Sequence, residues 1–194
     1  MRRIPAFTPD ELDPQQRRLY DRILGGPRAS ASDAFPLVDT GGGLQGPLNA
    51  WLLNTELGGA FDVVGAAIRF GLTLSPRPRE LVIFAVAHHY RCPFELYAHR
   101  RIGAAAGLSQ DEIEQLSRGE TPPLESDADR TALATAKSLL AGGDLSDDEY
   151  ARAVAAFGEG GLFEILSLVG WYTLLALQLN VFRVPPADEA QGIG

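Results

Sequence analysis

The 194-residue chain lacks clusters of basic residues, and its formal net charge is −8. Proteins bind nucleic acids and anionic membranes largely through clustered Lys and Arg, so neither is an expected partner. A single cysteine, Cys92, excludes an intrachain disulfide. The sequence also does not open with the charged start and apolar middle of a secretory signal. A reducing cytoplasm is therefore the expected location.

One apolar run, residues 161–182, is long enough to span a bilayer and carries a single formal charge, at Glu164. Two features argue against a membrane span. The run contains the polar residues Gln178 and Asn180, and no positive charge flanks its N-terminal side. A helix that is apolar nearly all round suits the middle of a bundle or a subunit interface, which is the placement we expect here.

No segment alternates apolar and polar residues with a period of two, and the valines and isoleucines lie inside longer helical patterns. Helix-start signals are frequent instead. A Ser or Thr followed three residues later by Glu forms a potential capping box at Thr8, Ser109 and Ser146. The sequence therefore predicts an all-α protein, with a first helix that starts at Thr8 and stops at Gly25.

The length of the chain suits a single domain with a substantial buried core. Within that domain we expect an N-terminal helix and a long loop rich in Ser, Asp and Gly over residues 1–46, followed by a core over residues 47–118. Further helices are expected over residues 119–185, and a flexible tail over residues 186–194.

Residues 79–99 gather all three histidines, the only cysteine and two carboxylates that lie within apolar runs. The pattern predicts a helical hairpin, with an apolar helix from about Pro78 to Tyr90, a turn, and a second helix that has Pro93 at its first position. At about 1.5 Å of rise per residue, an antiparallel hairpin brings Glu80 and His99 to similar levels. A contact between these two side chains is therefore predicted.

A contact between Glu80 and His99 points to acid–base chemistry. The carboxylate would fix the imidazole tautomer and stabilise its charged form, which gives a general base near neutral pH. Glu95 lies four residues before His99, a spacing from which it can orient the ring or a substrate. The alternatives are structural roles: a helix-start acid for Glu80, a hydrogen-bonded buried ring for His99, and a solvated carboxylate for Glu95.

Metal and thiol chemistry are the other hypotheses for the hairpin. Glu95 and His99 have a spacing that metal ligands use, with Glu80 or His88 as further ligands, but no second Glu–His pair completes a di-metal site. We therefore expect no metal and no other cofactor. Cys92 lies near a helix N-terminus, which lowers the pKa of a thiol. Position 95 holds Glu rather than a second cysteine, so peroxidase chemistry would need an outside thiol, and an incidental buried cysteine is the favoured interpretation.

Residues 77–116 contain, in order, Arg-x-Arg-Glu-Leu, an apolar helix, Glu-x-x-x-His and Gly-Leu-Ser-x-x-Glu-Ile. This order resembles the carboxymuconolactone decarboxylase and alkylhydroperoxidase D-like superfamily, and residues 161–185 are similar to the C-terminal helix of its longer members. The resemblance implies an alkylhydroperoxidase D-like helical bundle with a central helical hairpin, assembled as a homo-oligomer, a trimer or a hexamer.

The redox branch of that superfamily has a Glu, then a Cys-x-x-Cys, then a His one helical turn further on. The matching positions here are Glu80, Cys92, Glu95 and His99, so one of the two thiols is replaced by a carboxylate. The resemblance therefore favours the decarboxylase-like branch, which has Glu and His at these places.

The first functional hypothesis is a cofactor-free, decarboxylase-like enzyme that acts on a small carboxylated or lactone-type molecule through Glu80, Glu95 and His99. Candidates for substrate binding are arginines for a carboxylate and aromatic residues for apolar walls: Arg79, Arg91 or Arg100, and Trp51 and Tyr172. The second hypothesis is a thiol-dependent peroxidase with Cys92 as its catalytic residue. The third is a non-catalytic oligomeric binder of the same fold.

Overall fold

The structure is a computed structural model that describes residues 2–27 and 36–186. Residues 28–35 of the predicted loop, and the predicted tail from residue 187 onward, lie outside the described residues. The chain forms two compact units: residues 1–71 together with 177–194, and residues 72–176. The single domain expected from the length of the chain remains a prediction.

The helices of the first unit are α1 (Pro14–Gly25), α2 (Pro47–Trp51) and α3 (Thr55–Phe70). Those of the second unit are α4 (Pro76–His89), α5 (Pro93–Ala105), α6 (Gln110–Ser117) and α7 (Asp127–Gly142). The last helix, α8 (Asp147–Phe182), begins in the second unit and ends in the first. The described residues contain no strand, only one isolated bridge between Val38 and Leu44. The all-α prediction is confirmed.

Helix α1 begins later than the sequence predicted. Thr8 and Glu11 do form the expected capping box, but it opens only a short 3-10 turn, Pro9–Glu11. Asp13 then caps α1, because its carboxylate accepts the backbone N–H of Gln16 at 2.9 Å and the Gln16 side chain accepts the N–H of Asp13. The predictions at Ser109 and Ser146 are confirmed, since both residues take part in capping boxes.

In the first unit, α1 packs against α3, and Leu19 and Ile23 of α1 are buried. The buried Asn49 of α2 fixes the N-terminal segment. Its side-chain oxygen accepts the N–H of Phe7 at 3.0 Å, and its amide donates to the carbonyl of Pro5 at 2.8 Å. Both polar groups of this side chain are therefore satisfied inside the unit.

Helix α4 is the central element of the second unit. Residues 81–87 are buried without interruption, and the helix packs against α5, α6 and α7. A helix that is apolar on every side needs neighbours on every side, which explains its position. The candidate site residues on α4 are consequently held by a helix that is packed on several sides.

Helix α8 is interrupted at Gly158, whose φ of +69° is left-handed backbone that favours glycine. In length and composition α8 is the one helix in the described part of the chain that would be able to cross a membrane. A core helix satisfies the same two criteria, and one such helix is weak support for a span.

Candidate active site

The α4–α5 hairpin forms as predicted, although α4 begins two residues before the expected start. Ser75 is the N-cap and Pro76 the first helical residue, so Glu80 lies beyond the first turn. Its side chain is buried, and its residue is only 2% exposed. Glu80 is therefore not a helix-start acid, and a buried carboxylate of this kind requires a partner.

Glu80 finds that partner in His99. The Nδ1 atom of His99 lies 2.7 Å from Oε2 of Glu80, and its Nε2 atom lies 3.4 Å from Oε2 of Glu95. All three residues are at most 4% exposed. The predicted contact between Glu80 and His99 is present, and Glu95 joins it from the same face of α5. A carboxylate can only accept here, so the Nδ1–H of His99 donates to Glu80.

The charge of His99 differs from the prediction. Burial lowers the pKa of the imidazole, but it is outweighed by the negative charge of Glu80 and by the hydrogen bonds to Glu80 and Glu95, so that the pKa is raised to about 9. A ring with this pKa is an imidazolium at neutral pH. This charge suits a proton donor, whereas the role of His99 as a general base stays a prediction.

Tyr172 of α8 lies against the His99 ring. The two ring centroids are 5.2 Å apart, and the planes meet at 81°, an edge-to-face arrangement. Tyr172 is half-buried, so it covers the imidazole while remaining partly accessible. This is the placement expected of a wall residue, whereas a role in substrate binding stays a prediction.

Cys92 is buried, as the favoured interpretation of an incidental buried cysteine predicted, but its thiol pKa is shifted in the direction opposite to the one expected for a helix N-terminus. Cys92 is the N-cap of α5, yet its residue is 0% exposed. Burial and the nearby charge of Glu95 raise the pKa of its thiol to about 12, although the N–H groups of Phe94 and Glu95 act in the opposite direction. The effect of the helix N-terminus on the thiol pKa is smaller than the combined effect of burial and of the Glu95 charge. The prediction of a lowered thiol pKa is wrong.

The other substrate-binding candidates lie in different places. Arg79 is half-buried beside Glu80 in sequence and acts electrostatically on Glu164, whereas Arg91 and Arg100 are exposed. Trp51 belongs to the first unit, where it packs on Phe61 and its indole N–H donates to the Gln178 side chain at 3.3 Å. Their roles in substrate binding stay predictions.

Sequence reasoning missed the residues that hold α4 in place. Arg77, noted only as part of a motif, forms ion pairs with Asp129 of α7 at 2.7 Å and with Glu112 of α6 at 2.5 Å. Asp129 is 4% exposed, so this carboxylate depends on the arginine. The only available signal was the position of both acids in the first turn of a predicted helix, which is also typical of ordinary capping.

Glu164 of α8 is a second missed anchor. Its carboxylate accepts the backbone N–H groups of Thr73 and Leu74 at 2.8 and 2.7 Å, directly before α4 begins. Burial raises the pKa of Glu164, but these hydrogen bonds and the charge of Arg79 outweigh it and leave the pKa lowered. The single charge of the apolar run is therefore a structural contact inside the second unit.

A metal site needs several side-chain ligands that converge on one point. Over residues 2–27 and 36–186, no group of three or more His, Cys, Asp or Glu side chains has a geometry that could hold an ion. Glu80 and Glu95 both direct their oxygens to the nitrogens of His99, which is the arrangement of hydrogen-bond partners.

The region that carries the candidate site also matches a known protein family. Residues 56–138, which contain α4 to α6 and most of α7, match the sequence model of the carboxymuconolactone decarboxylase family. Over these residues the resemblance noted in the sequence, to the carboxymuconolactone decarboxylase and alkylhydroperoxidase D-like superfamily, is confirmed. No curated protein sequence matches the chain.

Solved structures share the fold. An uncharacterized peroxidase-related protein from Silicibacter sp. TM1040 is similar with a TM-score of 0.75 at 16% identity, over 98% of this chain and 94% of that one. A peroxidase-related protein with an alkylhydroperoxidase AhpD core from Ralstonia eutropha JMP134 gives 0.75 at 16%, over 97% and 93%. The debrominase Bmp8, in complex with 2,3,4-tribromopyrrole, gives 0.65 at 14%, over 91% and 89%. At these identities the likeness defines an alkylhydroperoxidase D-like helical fold.

Proposed function

We propose that the protein is a cofactor-free, decarboxylase-like enzyme in which His99 protonates carbon as CO₂ leaves a small carboxylated or lactone-type substrate. The observation that carries the proposal is the buried His99 ring between two carboxylates, at 2.7 Å from Glu80 and 3.4 Å from Glu95. The match of residues 56–138 to the carboxymuconolactone decarboxylase family supports the same reaction class.

The two distances support different roles for the two glutamates in this proposal. The short bond fixes the ring and holds the Nδ1 proton on His99, so Glu80 orients the imidazolium. The Nε2–H is held loosely at 3.4 Å by Glu95, which makes Nε2 the nitrogen that can release its proton to a substrate. Glu95 would then position the substrate, or take the next proton from water and pass it to the ring.

The reaction balances without an external oxidant or reductant. The bond between carbon and the carboxylate breaks, its electron pair moves to that carbon, and CO₂ departs. A carbonyl conjugated to the carbon, in a lactone or an oxo acid, accommodates the electron pair until the carbon takes the Nε2 proton of His99. Water then reprotonates the ring, which returns to the imidazolium because its pKa is about 9.

A panel of small oxo acids and lactone carboxylates, assayed for CO₂ release, tests the proposal. In D₂O the product should carry deuterium at the carbon that lost CO₂. Loss of a positioned proton donor typically costs about 10²–10⁴-fold in rate, so we expect such a loss for His99→Ala in a variant that still folds. Arg101→Ala, an exposed change on the same helix, is the matched control. A folded His99→Ala protein with full activity would end the proposal.

The alternatives give different results in the same assays. A thiol-dependent peroxidase would consume peroxide through Cys92, and its activity would vanish in Cys92→Ser; the buried thiol with a raised pKa makes this the weaker candidate. A non-catalytic binder would bind members of the panel without turning any of them over.

We also propose a cytoplasmic homo-oligomer, a trimer or a hexamer, as the resemblance implied. Large apolar side chains on α8 support an association surface, since Phe163 is 69% and Leu166 44% exposed. Light scattering of the purified protein tests the assembly. A monomer at micromolar concentration would contradict it.

A further inference from the structure

A cavity lies in the second unit, at the opposite end of α4 from Glu80. It has a volume of about 300 Å³ and is bounded by the last turn of α4, the end of α6 and the middle of α7. Its floor is apolar, with the buried side chains of Leu116 and Leu133. Glu80 and His88 are eight residues apart on the helix, which corresponds to about 12 Å along its axis.

The rim of this cavity is cationic in a chain whose net charge is −8. Arg91 and Lys137, the single lysine of the sequence, both line it. Within the described residues neither forms an ion pair with a carboxylate. The one acid in the lining, Glu120, accepts hydrogen bonds from Nε and Nη2 of Arg118 at 2.9 and 3.0 Å. Two cationic residues therefore line the cavity, and the one carboxylate in its lining is already paired with Arg118.

Lys137 is held in place and keeps donor capacity. Its ammonium group donates to the hydroxyl of Thr121 at 2.6 Å and to the carbonyl of Gly119 at 3.3 Å. An ammonium group has three N–H donors, so one remains for a ligand. A charge fixed in this way binds an anion with little further loss of side-chain freedom.

The wall formed by His88 depends on a glycine. The His88 Nδ1–H donates to the carbonyl of Ser117 at 3.2 Å, which fixes the ring against Gly119. A Cβ atom at position 119 would lie 2.2 Å from the His88 ring, and the φ of Gly119 is +80°. Both the shape of the wall and the backbone of this loop therefore require glycine.

Arg91 has an unfavourable backbone conformation for its side chain. Its φ is +48°, in the left-handed region, which costs a residue other than glycine or asparagine free energy of the order of 1 kcal/mol. Glycine would satisfy the turn better. An arginine at this position is explained if its guanidinium has a task at the cavity.

We propose that this cavity binds a small organic carboxylate. Lys137 and Arg91 hold the carboxylate group, and the apolar body lies on Leu116 and Leu133. The volume of about 300 Å³ is at the lower end of the usual range for small-molecule sites, about 300–1,000 Å³, and suits a single ring or a short chain. The proposal is independent of the acid–base reaction at His99, because none of Glu80, Glu95 and His99 lines this cavity.

Benzoate is the probe, and benzamide its neutral counterpart of the same shape. Protein labelled with ¹³C-lysine reports the cavity directly, since Lys137 gives the only lysine signal. We expect benzoate to shift that signal saturably, with a Kd of about 1 mM or tighter, and benzamide to leave it in place. His99→Ala should bind benzoate as the unchanged protein does, which separates this site from the proposed catalytic one.

Calorimetry with benzoate completes the test. Lys137→Met and Arg91→Gly each remove one charge, and each should weaken binding at least about tenfold. Arg91→Gly also relieves the left-handed backbone, so it should fold at least as well as the original. Arg101→Met, an exposed change outside the cavity, is the control and should bind normally. Equal affinity for benzoate and benzamide, unaltered binding by Lys137→Met, or a lysine signal that never saturates would overturn the proposal.

Discussion

Glu80 and His99 are 19 residues apart in the chain and are joined by a hydrogen bond of 2.7 Å. The bond is buried, and a second carboxylate, that of Glu95, lies 3.4 Å from the other ring nitrogen. Two negative neighbours outweigh the burial of the ring, so the imidazole keeps its proton.

Glu80→Gln should lower the pKa of His99 from about 9. The amide oxygen can still accept the Nδ1–H, but the charge that stabilises the imidazolium is gone, and burial then acts to lower the pKa. Histidine NMR resonances followed against pH measure the change. His88 and His89 are internal references, since their shared helix is unaltered at its other end. An unchanged pKa of His99 would show that Glu80 is not the main cause of the shift.

Stability should fall as the solution becomes alkaline. The folded pKa of His99 is about 9, above the unfolded value of about 6.5, so its contribution is fully present below the unfolded pKa and is lost as pH rises through about 9. The difference between the folded and unfolded pKa values corresponds to a contribution of the order of 3 kcal/mol to the free energy of unfolding. Urea unfolding across that window measures it.

The control for the alkaline effect is His99→Gln, which has no titrating group at this position. The difference in unfolding free energy between the two proteins should shrink as the pH rises. A constant difference would contradict the ion pair as its source, whatever other groups titrate over the same range.

Cys92 should react slowly in the folded protein. Its thiol is buried with a pKa of about 12, and the thiolate is the reactive form. Iodoacetamide labelling followed by mass spectrometry measures the rate, with the urea-unfolded protein as the reference for an accessible thiol. Labelling of the native protein as fast as that of the unfolded one would contradict the structure and would revive the peroxidase alternative.

Gly119→Ala should destabilise the second unit markedly, because the new methyl group would lie 2.2 Å from the His88 ring at a φ of +80°. We expect a loss of about 1–3 kcal/mol. Gly142→Ala is the matched control: nothing lies within 4 Å of its added methyl group, and it is the last residue of α7. That change should be neutral or stabilising. Equal melting temperatures for the two variants would contradict the close approach.

The sequence contained enough to predict the hairpin and the meeting of its acid and base. Helix periodicity, proline at the start of each helix and a rise of about 1.5 Å per residue already place Glu80 near His99. The charge of the ring was not predictable, since it depends on how completely water is excluded and on two distances. The predicted direction of the shift in the Cys92 pKa was wrong for the same reason, because a helix N-terminus is visible in the sequence and the burial of a thiol is not.

Long-range anchors were also beyond the sequence. The ion pair of Arg77 with Asp129 joins residues 52 positions apart, and the contact of Glu164 with Thr73 joins residues 91 positions apart. Nothing local distinguishes these acids from ordinary capping or surface carboxylates. Such pairings follow only from the packing of α7 and α8 in the second unit.

These separations also set an order of assembly. Bringing together residues 19 positions apart costs less chain entropy than closing loops of 52 or 91 residues. We therefore expect the hairpin that carries Glu80 and His99 to form before Asp129 and Glu164 make the contacts that close the longer loops. In this order Glu80 and His99 come together first, and the contacts of Asp129 and Glu164 that hold α4 in place form last.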